Sequence, residues 1–103
     1  EDGYMVTAAN VVGNSVKVAR AKPHLADRIA ERLLDVEKIA TGPHMTEECR
    51  RVVVEEAVEA LGSFYDLLSP GEKKKATAFV KRQRTSSRAS LARAAEEFLA
   101  MKA

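Results

Sequence analysis

Residues 45–68 read MTEECRRVVVEEAVEALGSFYDLL. Val53, Ala57, Ala60, Leu61, Phe64 and Leu68 recur at i, i+4, i+7, i+8, i+11 and i+15, the spacing of one face of an α-helix. Val54, Val58 and Tyr65 widen that stripe, and Glu48, Glu55, Glu59 and Asp66 mark the opposite, solvated face. An apolar stripe this wide must be covered by apolar partners on more than one side. Thr46 has the side chain of a good N-cap for this helix.

Working outward, Ser69–Pro70–Gly71–Glu72 follows, with Ser as N-cap, Pro at N1 and Glu at N3, a capping-box start. The helix it opens runs to about Arg84, with Ala76, Phe79 and Val80 apolar and Lys73, Lys74, Lys75, Lys81, Arg82 and Arg84 polar. Its narrow apolar face predicts packing on one side. Thr85–Ser86–Ser87 is a polar turn, and Arg88–Met101 forms a last helix lined by Leu91, Ala95, Phe98 and Leu99. Upstream, Thr41–Gly42–Pro43–His44 breaks the chain, since Gly suits the position past a helix end and Pro prevents continuation. Residues 23–40 form a helix with Pro23 at its start and Leu25, Ile29, Leu33, Val36 and Ala40 along one face. Residues 4–20 place Met5, Ala8, Val12, Val16 and Ala19 on one face, a first helix weakened by Gly13 and Asn14 and capped by Asp2.

The chain of 103 residues suits one all-α domain, with 46% hydrophobic residues and few Gly or Pro. A single cysteine, Cys49, excludes an internal disulfide framework and fits a reducing compartment, so the expected setting is cytoplasmic, or nuclear in a eukaryote. No apolar run approaches a membrane span, and no membrane partner is expected. Beginning at Glu1 rather than Met, the chain is expected to be a fragment of a longer one. Net charge is +2, yet residues 1–70 carry 8 basic and 12 acidic side chains while residues 71–103 carry 9 and 3.

Alternate helices can be overlaid. Met5, Ala8, Val12 and Gly13 match Val54, Ala57, Leu61 and Gly62 at an offset of 49 residues, and Val53, Ala57, Ala60 and Leu61 match Leu91, Ala95, Phe98 and Leu99 at 38. The central Ala of each set lets a neighbouring helix approach closely, and the matched glycines suit the same purpose. Periods near 40–47 residues are those of HEAT and armadillo units. On Val53–x3–Ala57–x2–Ala60–Leu61–Gly62, the second helix beginning at Ser69, and Leu91–x3–Ala95–x2–Phe98–Leu99, the chain resembles the HEAT-repeat family. The resemblance implies antiparallel helix pairs stacked as a short α-solenoid of about five helices, serving as a non-catalytic protein-interaction scaffold. A stack ending on a half unit is expected to expose Leu91, Phe98 or Leu99. Exposed end helices would then bind further repeats of the same chain, or a second copy as a homo-oligomer.

Candidate chemistry is sparse. His44, Glu48 and Cys49 match no zinc spacing and lack a fourth ligand, Cys49 has no base and orienting group assigned to it, and the carboxylates of Glu55, Glu56 and Glu59 read as a solvated helix face. No phosphate-cradling loop or dinucleotide fingerprint is present, so no catalytic residue, metal or cofactor is expected. The candidate binding residues are Lys73, Lys74, Lys81, Arg82, Arg84 and Arg88 on a basic ridge and Glu55 and Glu59 on an acidic one. Lys74, Lys81 and Arg88 fall near one line if the last two helices pack side by side. Another protein is the expected partner. The alternative is a nucleic-acid-binding helical module using residues 73–93, against which stands the lack of an interleaved aromatic residue to stack on bases.

Overall fold

A computed structural model describes residues 13–38, 42–43 and 46–102. Five α-helices occur among them and no β-strand: α1 (residues 13–21), α2 (Ala26–Leu34), α3 (Glu47–Phe64), α4 (Pro70–Arg82) and α5 (Ala89–Lys102). The all-α reading therefore holds. Met5, Ala8, Val12, Ala40, His44 and the Asp2 cap lie outside the described residues.

Local chemistry explains where each helix starts and stops. Thr46 takes extended backbone and its hydroxyl accepts from the Cys49 N–H at 3.1 Å, capping α3. Ser69 caps α4 by accepting from the Glu72 N–H at 3.3 Å, with Pro70 in the first turn where its missing N–H costs nothing. The capping box is only half formed. The Ser69 N–H donates not to Glu72 but to Asp27 Oδ1 on α2, at 2.9 Å. α3 ends earlier than its apolar pattern suggests, because Phe64 leaves helical backbone and Tyr65–Leu67 tighten into a 3-10 turn. α2 is likewise shorter than predicted, flanked by 3-10 turns at Pro23–Leu25 and Asp35–Lys38.

The helices lie in two layers. Asp27, Glu31 and Glu37, in chain order along and just beyond α2, bond to the Ser69 N–H, Lys75 and Arg82 in chain order along α4, so α2 and α4 run parallel. Glu55 accepts from Ser90 and Gly62 faces Phe98, so α3 and α5 also run parallel. Gly13 and Val16 lie beside Glu56 and Ala60, and Arg20 reaches the Ser63 carbonyl and Asp66, which sets α1 parallel to α3 on its other side. The odd helices thus form a layer of three and the even helices a layer of two. Contacts of α2 with α3 and of α4 with α5 join the layers, and the short connections reverse the chain between them. The smallest molecular extent, 17 Å, accommodates two helix layers and not three.

The core between them holds Val53, Ala57, Val58, Leu61, Phe64, Ala76, Phe79, Val80, Leu91 and Ala95. Two expectations are corrected. Leu33 and Val36 are buried as expected, but Ala26 and Ala30 complete the inward face of α2, while Ile29 and, in the turn before it, Leu25 are half-buried, because small side chains let α2 sit close to α3 and α4. Leu91 and Phe98 are buried and Leu99 half-buried, so the open apolar end expected at these three residues is not there. Val18 and Met101 are the exposed large hydrophobic residues among those described.

Candidate functional site

The two ridges predicted as separate surfaces meet at one residue, Arg88. Arg88, immediately before α5, donates through Nε to Glu55 Oε1 at 2.7 Å and through Nη1 to Glu48 Oε2. Ser90 adds a hydroxyl bond to Glu55 Oε1 at 2.8 Å. Partial burial pushes the Glu55 carboxyl up, but the Arg88 and Ser90 hydrogen bonds and the guanidinium charge outweigh it and hold the group below the usual carboxylate range. Arg88 therefore does not continue the line of Lys74 and Lys81. Arg82 points to the other layer-mate, with Nη2 2.8 Å from Glu37 Oε1, and the buried Gln83 amide joins the same carboxylate.

A third charged junction sits between α2 and α4. Lys75 Nζ lies 2.6 Å from Glu31 Oε2 and 3.8 Å from Glu72 Oε1. Glu72 is buried, and its Oε2 has no hydrogen-bond partner. Burial, then the adjacent Glu31 carboxylate, pushes the Glu72 carboxyl up, while the Lys75 hydrogen bond holds Glu31 down. The spacing predicts Glu72 as the N3 residue of a capping box and says nothing of its burial, which depends on how α2 leans on α4.

The remaining predicted residues separate cleanly. Lys73, Lys74 and Lys81 have no acidic partner among the described residues and border one open depression of about 560 Å³ on α4, together with Tyr65, Pro70, Thr77 and Ala78. Tyr65 is the residue that sequence reasoning missed. It comes from the 3-10 turn before α4 and is absent from the run of basic residues, yet it stands among them in space. The Lys73 ammonium lies 5.5 Å from its ring centroid and that of Lys102 6.0 Å, within cation–π range. Phe98 meets the ring at 90° with centroids 5.4 Å apart. The Tyr65 hydroxyl is 3.4 Å from Thr77 Oγ1, which itself donates to the Lys73 carbonyl, so Tyr65 is the donor of that pair. Arg84 is exposed beyond the end of α4.

Glu59 is exposed and borders a shallow groove between α3 and α5, floored by Val58, Gly62 and Phe98. A second, more polar depression of about 450 Å³ holds Arg50, Arg51 and Arg82 near Ser86 and Ser87, but Glu47, Glu48 and Glu37 ion-pair with those guanidiniums. Among the described residues no group of three or more His, Cys, Asp or Glu is placed to hold a metal ion, and no helix is long and apolar enough to cross a membrane. Compared with protein-family models, curated proteins and solved structures, the chain matches none of them.

Proposed function

We propose that the chain is a non-catalytic protein-interaction scaffold built of HEAT-like repeats. The observation that supports this reading is the parallel alignment of alternate helices. In an up-and-down bundle, helices that lie side by side are antiparallel neighbours in the chain. Here α1, α3 and α5 lie side by side and parallel, as do α2 and α4, which is how repeated helix pairs stack. Such a stack offers broad outer flanks for another polypeptide, for further repeats of the same chain or for a second copy.

Nucleic-acid binding through the basic ridge is the second reading, favoured by Lys73, Lys74 and Lys81, which have no carboxylate partner among the described residues. Against it, Arg82 and Arg88 are held by carboxylates, and Tyr65 already has its ring against Phe98 and two ammonium groups, leaving it poorly placed to stack on a base. Titration with generic duplex DNA across a range of salt separates the two. The scaffold reading expects no binding of micromolar strength at low salt. Tight, steeply salt-dependent binding abolished by Lys73→Glu with Lys74→Glu would replace it with the second reading.

A further inference from the structure

We infer that the flank of α4 turned away from α2, formed by Tyr65, Pro70, Lys73, Lys74, Thr77 and Lys81, is a docking groove for an acidic amphipathic helix of a partner protein. The inference rests on the scaffold reading and specifies its surface and partner chemistry.

Three features carry it. The first is the count of helices per layer. Among the described residues three lie in the odd layer and two in the even layer, and none of those helices covers the flank of α4 away from α2. Tyr65 touches Phe98 of α5 and has Lys102 over its ring, which places the groove on that side. The second is its lining. Pro70, Ala78, the Tyr65 ring and the lysine stems give an apolar floor, while three ammonium groups frame it. The third is the opposite flank of the same helix, which shows how α4 receives a helical neighbour. There α2 presents Asp27, Glu31 and, just past its end, Glu37 to the Ser69 N–H, Lys75 and Arg82. About half a turn round α4, Lys73, Lys74 and Lys81 repeat that cationic edge with no carboxylate opposite among the described residues. An occupant that satisfies them needs carboxylates spaced along a helix beside an apolar stripe, the helix-in-groove mode of recognition.

The test uses the 103-residue chain and two labelled synthetic peptides. Both share one Ala/Leu stripe; one carries Glu at the spacing of Asp27, Glu31 and Glu37, the other Lys at those positions. Fluorescence anisotropy is expected to show binding of the Glu peptide, weakened at least about tenfold by Lys74→Glu with Lys81→Glu, and transfer of preference to the Lys peptide in that variant. Amide exchange protection is expected at Tyr65 and Thr77. Equal binding of both peptides, indifference to the charge reversals, or protection confined to the α3–α5 groove would overturn the inference. So would concentration-dependent mass of the chain alone that the same reversals abolish, since the occupant would then be a second copy. A longer form of the chain that seats its own next helix there, and so excludes the Glu peptide, would overturn it in favour of a further repeat. If the Glu peptide fails while another polypeptide cross-links elsewhere on the stack, only the groove falls. If duplex DNA alone binds, the scaffold reading falls with it.

Discussion

Arg88 and Glu55, 33 residues apart in the chain, are joined at 2.7 Å across the α3–α5 junction. The bond ties the start of α5 to the middle of α3, and Glu48 and Ser90 complete the cluster. Glu55→Gln is expected to destabilise the fold by about 1–2 kcal/mol at neutral pH, as for a partly buried hydrogen bond to a charged group. Because the Glu55 pKa is lowered on folding, its stabilising contribution is present above the ordinary carboxylate range and is lost as pH falls through the folded value. Urea denaturation at neutral pH and again near pH 3 checks this. The gap between wild type and variant should close at the acidic end, and an unchanged gap would show that the carboxylate charge is not what matters.

Glu72 behaves in the opposite sense. Its pKa is raised on folding, so its contribution is fully present below the unfolded carboxyl pKa and is lost as pH rises through the folded value. Glu72→Gln keeps the shape and removes the buried charge. It should stabilise the protein at neutral pH by about 0.5–1 kcal/mol, the scale of an imperfectly satisfied buried polar group, and have no effect well below pH 4. Thermal melts across that range decide it. A loss of stability at pH 7 would mean that the charge on Glu72 is held by Lys75 more strongly than burial opposes it.

The Ser69 side chain caps α4 while its N–H caps itself on Asp27. Ser69→Ala should cost about 1 kcal/mol, as for other N-cap removals. Asp27→Ala should also destabilise, and the double variant should lose less than the sum, with a coupling of about 0.5 kcal/mol or more. Strict additivity in a denaturation cycle would argue that the α2–α4 link does not help to hold the cap.

Gly62 sits inside α3 opposite Phe98, where an added Cβ would lie 3.5 Å from the ring, an ordinary contact. Gly62→Ala is therefore expected to stabilise by about 0.5–1 kcal/mol through helix entropy alone. A larger side chain such as Leu would meet the ring and cost about 1–3 kcal/mol. If Ala itself destabilises in a melt, the two helices approach more closely than this contact implies. Gly13, with no described neighbour within 4 Å of such an atom, lacks the close approach that its match to Gly62 suggested.

The sequence by itself determined the all-α class, the starts of α3 and α4 and the inward seam of α3. Caps at Thr46 and Ser69 and the seam from Val53 to Phe64 act between residues a few positions apart, so they can be read along the chain. Tertiary structure alone decided which charges face each other. Glu55 and Glu48 read as a wet face and Arg88 as part of a basic ridge, yet they join, while Lys73, Lys74 and Lys81 stay open and Tyr65 enters their midst. Those outcomes depend on the rotation and axial offset of each helix against its neighbours. Both are set by how the whole core packs, including the inward turn of Ala26 and Ala30, and no local spacing encodes them.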